Sequence, residues 1–450
     1  MNAHYDETAL QDYLDDPMHH PDRDAIEAHV AYCKPCAATL EELRAFDATL
    51  AAEVAWETER ESAAETPGVI REFADLLATE DATAREMLAP LLASPVSFRR
   101  ANVTARPVMR TAGVVRLLCT ESRELRERQP MHALVLADSA IAIADQLPSD
   151  LYPAPLLDDL RGSAWLERAN VLRYLGRYAE ALDAIDIAQR AFARSPVAAF
   201  SGALADYLRG VVFVETERLE DAMRLVRKAA RVFRQFGEHE RYVHAKIVEA
   251  TVLFDQRRVR DARDLFVSLI ATAKELGHAQ TLARLYANVA NCQLRLHELA
   301  SADDYYSRAL SLFEALGLET ERIRTRWNIG CLRIVTGDLA DGLSRLREAA
   351  REFSELGLRT DAALVTLDLA EALLAAGDPP SRREAAELCT SLVESFTAVG
   401  MTGHALTALA YLREAFESGQ ATPDLVRHVR HYLETHPDQS GIPFIPPPHL

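Results

Sequence analysis

A phrase that closes on glycine recurs along this chain, and it constrains the fold more than any other feature of the sequence. The phrase reads VFRQFG, TAKELG, FEALG, FSELG and FTAVG, and its glycines are Gly237, Gly277, Gly317, Gly357 and Gly400. Successive glycines lie 40, 40, 40 and 43 residues apart. Glycine commonly ends helices because it adopts the left-handed conformation without a steric penalty. Since amphipathic helical sequence follows each glycine, the spacing predicts two helices per repeat, which is typical of an α-solenoid.

Small residues recur at fixed positions inside these repeats. In SAWLERANVLRYLGRYAEALDAIDIAQRAF, we expect Trp165 to open the first helix and Gly176 to mark the turn, with Ala181 and Ala188 on one face of the second helix. The same spacing of two alanines recurs at Ala133 and Ala140, Ala222 and Ala229, and Ala302 and Ala309. Small residues let paired helices approach closely.

This pattern resembles the tetratricopeptide repeat (TPR) family. The resemblance implies about seven TPR-like helix pairs over residues 106–437, with a groove that binds a peptide or protein. Asn170 and Asn291 follow the small position of a first helix, where the family holds asparagines that bond a bound peptide, although they could equally be solvated polar residues. The predicted fold class is therefore all-α.

The segments on either side of the repeats differ in composition. Residues 66–105 contain two short apolar stretches, GVIREFADLLA and ATAREMLAPLLA, which predict two short helices before a basic loop. We interpret this segment as a helical linker or an N-terminal cap. At the other end, residues 423–437 predict a final capping helix, and residues 438–450 form a Pro-rich tail that cannot be helical.

Charge and hydropathy exclude several classes of function. The chain has a net charge of −18, and residues 1–65 hold 16 acidic residues against four basic ones, which is −12 of that total. An acidic protein of this kind is not expected to bind nucleic acid directly, whereas its N-terminal segment is suited to a basic partner. No apolar stretch is long enough to span a membrane, and the first residues lack the pattern of a signal peptide, so we expect a cytoplasmic protein with reduced thiols.

The stretch EAHVAYCKPCAATL, residues 27–40, brings three candidate metal ligands together. His29 and Cys33 are four residues apart and share a helix face, and we expect Pro35 to end that helix and turn Cys36 back to the same point. These side chains suit a tetrahedral Zn²⁺ site, but a structural site needs a fourth ligand. The candidates for the fourth ligand are His4, His19 and His20.

The N-terminal segment, ETALQDYLDD…DRDAIEAHVAYCKPCAATL, resembles the zinc-binding anti-sigma-factor family with its HxxxCxxC motif. In that family a further ligand lies about 25 residues before the motif histidine, and His4 occupies this place relative to His29. The resemblance therefore implies that residues 1–65 contain a small zinc-stabilised helical module with His4, His29, Cys33 and Cys36 as ligands. It also implies a sigma factor as the partner of residues 1–65 and, in some relatives, release of zinc on cysteine oxidation.

The remaining residues suggest no catalytic chemistry. Four cysteines lie in apolar helical sequence, where we expect small core residues: Cys119, Cys292, Cys331 and Cys389. The sequence shows no phosphate-binding glycine loop and no nucleophile elbow, so we predict that the chain is not an enzyme. Two functions remain. One is a soluble regulator of anti-sigma type, and the other is a general TPR scaffold with a purely structural zinc module.

Overall fold

The computed structural model of the chain describes residues 4–5, 7–15, 20, 22–62, 68–92, 104–195, 198–398, 404–435 and 444–447. In these residues the structure is helical and contains no β-strand, so the predicted all-α class is confirmed. The chain divides into two compact units, residues 1–256 and 257–450. No helix in the described ranges is long and apolar enough to cross a membrane.

The first unit begins with a small N-terminal module and continues into repeat helices. Its helices are α1 (Glu7–Asp15), α2 (Arg23–Val30), α3 (Lys34–Ser62), α4 (Gly68–Leu92), α5 (Ala112–Leu125), α6 (Pro130–Ala144), α7 (Ala154–Tyr174), α8 (Tyr178–Phe192), α9 (Ala198–Glu215), α10 (Leu219–Gln235) and α11 (His239–Asp255). A short 3₁₀ helix, Pro107–Met109, precedes α5. Consecutive helices from α5 to α11 pack against each other as TPR-like pairs.

The N-terminal module is built from α1, α2 and the first half of α3. Its core consists of five buried side chains: Leu10, Tyr13, Ile26, Cys36 and Leu40. The predicted role of Pro35 is wrong, because α2 already ends at Val30 and Pro35 lies in the first turn of α3. Proline is tolerated there because the first amides of a helix have no partner within it.

Helix α4 replaces the two short helices expected within residues 66–105. It runs without interruption from Gly68 to Leu92, because the intervening residues 79–81, TED, include neither glycine nor proline and continue a helix readily. Its side chains Ala84 and Leu88 are fully buried in a cluster with residues of α5 and α6. Helices α4 and α5 approach closely at Gly113 of α5, where a Cβ atom would lie 2.5 Å from the backbone carbonyl of Glu80 on α4.

Helix α7 is longer than the sequence suggested. The expected start at Trp165 is wrong, because the helix begins at Ala154, directly after Pro153 and with a proline in its first turn. Proline fixes a backbone angle that favours helix initiation, and this local preference outweighs the repeat pattern. The predicted small positions behave as expected, since Ala169, Ala181 and Ala188 are completely buried.

The second unit contains the later repeats. Its helices are α12 (Val259–Glu275), α13 (Ala279–Arg295), α14 (Leu299–Ala315), α15 (Glu319–Val335), α16 (Leu339–Glu355), α17 (Arg359–Ala376), α18 (Pro379–Ala398), α19 (His404–Glu417) and α20 (Pro423–Thr435). Three of the repeat glycines, Gly277, Gly317 and Gly357, follow a helix with φ values of 66 to 73°, which confirms their role as helix ends. The fifth predicted glycine, Gly400, lies outside the described residues.

Part of the C-terminal tail packs against the last helices of the second unit. Phe444 is buried among the rings of Tyr411, His428 and Tyr432. The Nε2 atom of His428 lies 2.9 Å from the carbonyl oxygen of Ile445. The described tail residues are not helical, as their proline content predicts.

Candidate metal centre

Four side chains of the N-terminal module converge on one point. The ligand atoms of His4, His29, Cys33 and Cys36 all lie within 4.8 Å of one another. The Nδ1 atom of His4 is 3.1 Å from the Sγ of Cys33 and 3.6 Å from the Sγ of Cys36. The structure thus brings together the four residues that the sequence analysis proposed as ligands, and the cluster can hold a metal ion.

The two separations between His4 and the cysteine sulfur atoms are compatible with a tetrahedral ion. Metal–nitrogen distances of about 2.0 Å and metal–sulfur distances of about 2.3 Å place tetrahedral donors roughly 3.3 to 3.8 Å apart. The contacts of His4 with the two sulfur atoms are close to this range. In addition, the Nε2 atom of His29 is buried and, within the described residues, has no hydrogen-bond partner. Because a buried polar atom without a partner is costly, a metal ion at this point would satisfy it.

The backbone around the HxxxCxxC motif explains how its side chains meet. The amide of Cys33 donates to the carbonyl of His29 at 2.9 Å, so the helical register of α2 continues to Cys33 although α2 itself ends at Val30. The amide of Ala37 then donates to the carbonyl of Cys33 at 3.0 Å, which starts the register of α3. Cys33 therefore stands at the junction of two helices, and Cys36 lies one turn further on.

Tyrosine contacts tie α1 to the rest of the module. The ring of Tyr5 packs edge-on against that of His29 at 5.0 Å, and its carbonyl accepts a 3.8 Å bond from the thiol of Cys36. The hydroxyl of Tyr13 donates to Glu27 at 3.1 Å, and the same carboxylate accepts a bond from Arg23 at 2.9 Å. The bonds from Arg23 and then Tyr13 lower the pKa of Glu27, whereas burial and the bond to Glu27 raise the pKa of Tyr13. These contacts fix α1 on α2 beside the cluster.

Burial, followed by the hydrogen bond with Cys33, raises the pKa of the Cys36 thiol. In the absence of a metal ion this thiol is therefore protonated at neutral pH. Metal ligation requires the thiolate, so binding of an ion releases protons and its affinity depends on pH.

His19 and His20 were the other candidates for the fourth ligand. The Nδ1 atom of His20 accepts a hydrogen bond of 3.2 Å from the amide of Asp22, and its ring packs against Tyr13. His20 is not part of the four-residue cluster. His19 lies outside the described residues.

A second feature of the first unit is a contact between the module and the repeat helices, which sequence reasoning missed. Arg231 of α10 is only 3% exposed. Its guanidinium lies 3.1 Å from the carboxylate of Asp47 on α3 and donates at 3.2 Å to the carbonyl of Gln11 on α1. The one signal in the sequence was an arginine within the apolar face of α10, in VRKAARVF.

The asparagines proposed to bind a peptide already have partners in the chain. The side-chain oxygen of Asn291 accepts bonds from the hydroxyl of Tyr306 at 2.6 Å and from the amide of Asn328 at 3.3 Å. The side-chain oxygen of Asn170 accepts a bond from Arg173 at 3.1 Å. Peptide binding by these residues stays a prediction, and a bound peptide would have to share or replace these bonds.

The cysteines of the repeats lie in the helix packing. Cys119, Cys292 and Cys389 are buried, and Cys331 is half-buried with its thiol 3.8 Å from the carboxylate of Asp368. Burial raises the pKa of Cys119, Cys292 and Cys389 to about 12, so these thiols stay protonated.

Comparisons with known proteins support the zinc-finger class for the N-terminal segment. The sequence profile of a family described as "Putative zinc-finger" matches residues 7–37, a range that includes His29, Cys33 and Cys36. The chain therefore combines a zinc-finger-type segment with TPR-like helix pairs. No curated protein matches the chain.

Several solved structures are similar to this chain. Aspartyl phosphate phosphatase F from Bacillus subtilis has a TM-score of 0.48 and 12% identity, with 100% of both chains covered. A Rap protein complexed with Competence and Sporulation Factor has a TM-score of 0.45 and 14% identity over 71% of this chain and 99% of that one. The quorum sensor NprR from B. thuringiensis has a TM-score of 0.45 and 13% identity over 78% and 98%. At these values nothing about the activity or partners of those proteins transfers to this chain.

Proposed function

We propose that this chain is a regulatory protein that acts through protein–protein contacts. Its N-terminal module binds Zn²⁺ through His4, His29, Cys33 and Cys36 and restrains a partner of sigma-factor type, while the TPR-like helices bind a second peptide or protein. The observation that carries the proposal is the convergence of four donor atoms within 4.8 Å of one another, beside which the buried Nε2 atom of His29 has no hydrogen-bond partner among the described residues. Two thiolates and two imidazoles are the ligand set that zinc prefers in structural sites.

The proposed ion has a structural role. When bound, zinc supplies a crosslink that joins the start of α1, the end of α2 and the start of α3, because the four donors lie at these points of the chain. Four protein donors leave no position for a reactive water, so the proposal includes no catalytic activity. It places the protein in the cytoplasm, where thiol ligands remain reduced.

The charge of the module favours a basic protein as its partner. Two thiolates balance the charge of the zinc ion, so residues 1–65 keep their net charge of −12 when the metal is bound. Such a surface attracts a basic protein over long range and disfavours direct contact with nucleic acid.

A general scaffold with a purely structural zinc module is the second candidate. The buried Arg231 favours it, because this side chain joins the repeats to both α1 and α3 of the module. In this case the module would complete the first unit of the repeats and would need no partner of its own.

Metal analysis followed by a binding measurement tests the proposal. We expect one zinc ion per full-length chain and loss of zinc in Cys36→Ser, with Cys389→Ser as a control that keeps the metal. Size-exclusion chromatography of the full chain with each alternative sigma factor of the same genome should then give a 1:1 complex, with the housekeeping sigma factor as the control. Zinc without any sigma-factor complex would support the scaffold function, and a chain without zinc would contradict both.

A further inference from the structure

The second half of α3 has one covered face, and this face lies outside the module's own core. Phe46 and Asp47 are half-buried and Leu50 is completely buried, whereas Ala48 and Thr49 between them are exposed. This spacing of three and four residues defines a single stripe along the helix. We call Phe46, Asp47 and Leu50 the docking stripe.

Helix α10 supplies most of the contacts that cover the docking stripe. Leu50 lies in one hydrophobic cluster with Ala230 and Phe233 of α10, and Phe46 packs against the same cluster. The ammonium group of Lys228 lies 5.5 Å from the ring centre of Phe46. Arg231 completes the contact through Asp47. The docking stripe is thus matched by a helix with an apolar face and basic residues at its edge.

The charged part of this contact depends on the relative position of two module helices. Arg231 bonds to the Asp47 side chain on α3 and to the Gln11 carbonyl on α1 at the same time. The Cys/His cluster lies at the start of the same two helices, since His4 precedes α1 and Cys36 lies in the first turn of α3. The docking stripe with Gln11 beside it is therefore a preformed acceptor for an arginine that is flanked by apolar side chains.

The contact is also small enough to be exchanged. In the described part of the chain, Phe46, Asp47 and Leu50 of α3 contribute to it together with Gln11 of α1, and the Asp47 side chain is still 31% exposed. By contrast, the repeat helices have continuous buried faces, and α10 alone buries eight residues. Separation of α3 from α10 would therefore leave the pairing of α10 with α9 and α11 in place.

We propose that the docking stripe is the surface on which the module receives its protein partner, and that the partner presents a basic amphipathic helix. In this arrangement α10 is an internal competitor that covers the stripe, so the partner binds only when the module separates from the repeats. The inference rests on the proposed function, since it assigns the chemistry of the partner and its regulation to the same module.

A peptide with the sequence of residues 219–235, labelled with fluorescein, is the probe for this competition. Its affinity for the full-length chain is measured by fluorescence anisotropy for the wild type, Arg231→Ala and Arg224→Ala. Arg224 lies on the same helix and pairs with Asp221 rather than with the module, so it is the matched control. We expect binding to be about tenfold tighter for Arg231→Ala than for the other two chains, because the internal competitor is weakened.

The peptide itself provides a second comparison. A peptide that carries alanine in place of Arg231 should bind about tenfold more weakly than one that carries alanine in place of Arg224, because only Arg231 meets Asp47. Hydrogen exchange of α3 should become faster in the Arg231→Ala chain and stay unchanged in Arg224→Ala. If Arg231→Ala does not fold, Arg231→Lys keeps the charge but loses the forked geometry and should show the same changes at smaller size.

Equal peptide affinity for all chains, or unchanged exchange of α3 in Arg231→Ala, would overturn the inference. The zinc content of every chain is measured in parallel. One zinc per chain together with equal peptide affinity refutes the competition but leaves the proposed metal site standing, whereas absence of zinc from the wild type refutes the proposed function.

Discussion

The N-terminal module and the repeat helices achieve stability in different ways. The module has two helices of nine and eight residues, α1 and α2, and a core of five buried side chains. The repeat helices α10 to α16 each have 17 residues and bury long rows of alanine, leucine and aromatic side chains. Helices shorter than about 12 residues are marginal in water, so α1 and α2 depend on what joins them. The contrast teaches that the repeats are stabilised by packing, whereas the module has a core so small that the proposed metal site would be its main crosslink.

Removal of the metal is the strongest test of this contrast. Structural zinc contributes on the order of 10–16 kcal/mol in small modules, so Cys33→Ser with Cys36→Ser, or a chelator, should unfold residues 1–40. Hydrogen exchange measured by mass spectrometry should show α1 and α2 exchanging as an unfolded chain, while α13 to α17 keep their protection. Unchanged exchange of α1 and α2 after complete chelation would show that packing alone holds the module.

A half-buried acid in the second unit, Asp368, tests whether the repeats depend on packing alone. The carboxylate of Asp368 accepts a 2.7 Å bond from the indole of Trp327 and pairs with Arg430, and it lies near Cys331, Glu371 and Glu434. Burial raises the pKa of Asp368 from 3.8 to about 6, although Arg430 opposes this shift. A pKa that rises from 3.8 to about 6 on folding corresponds to about 3 kcal/mol in the free energy of unfolding.

Because the folded-state pKa of Asp368 is raised, the folded state holds its proton more tightly than the unfolded state. Its contribution to stability is therefore complete below about pH 3.8 and is lost as the pH rises through about 6. The variant Asp368→Asn lacks this titration. We expect the free energy of unfolding of the wild type, relative to Asp368→Asn, to fall between pH 4 and pH 7 in urea titrations. A constant difference across this range would contradict the assignment.

Close helix packing in the first unit can be tested at a glycine. A Cβ atom at Gly113 would lie 2.5 Å from the backbone of Glu80, so Gly113→Ala should force α4 and α5 apart and lower the free energy of unfolding by about 1–3 kcal/mol. Gly202 of α9 has no atom within 4 Å of the corresponding position. Gly202→Ala should therefore be neutral or stabilise by about 0.5–1 kcal/mol, because alanine is the better helix former. The stabilities of the two variants are compared with that of the wild type by thermal unfolding.

The smallest expected effect concerns the turns within the repeats. His297 has a φ of 59° at the turn between α13 and α14, a conformation that costs a non-glycine residue energy. The equivalent turn 40 residues later holds Gly337, with a φ of 92°. We expect His297→Gly to raise the free energy of unfolding by about 0.5–1 kcal/mol and Gly337→Ala to lower it by a similar amount. A lower free energy of unfolding for His297→Gly, or a higher one for Gly337→Ala, would exclude this explanation.

Most of the fold could be predicted from short-range features of the sequence. The left-handed glycines at 40-residue spacing and the buried alanine pairs are short-range features, and the structure has them where the sequence placed them. The errors were also local in origin. Pro35 begins a helix rather than ending one, and α7 starts 11 residues before Trp165, because the same proline signal serves both ends of helical segments.

Contacts between residues far apart in the chain could not be predicted from the sequence pattern alone. The meeting of His4 with the two cysteines could be proposed only through a family resemblance, because 29 and 32 residues separate the partners. The pairing of Arg231 with Asp47 spans 184 residues and follows no repeat spacing. A charged residue on an apolar helix face indicates that a partner exists, but the pattern does not identify it.

The tail segment around Phe444 has a consequence for association between molecules. A repeat array without a cap would end in an exposed apolar helix face, and such a face favours stacking of one chain on another. Here the aromatic ring of Phe444 fills the space between Tyr411, His428 and Tyr432, and Ile445 is anchored by His428. The described tail residues 444–447 thus cover this end of the second unit. Their loss by proteolysis would expose a surface of Tyr411 and Tyr432 suited to end-to-end self-association, which makes this segment a determinant of colloidal stability.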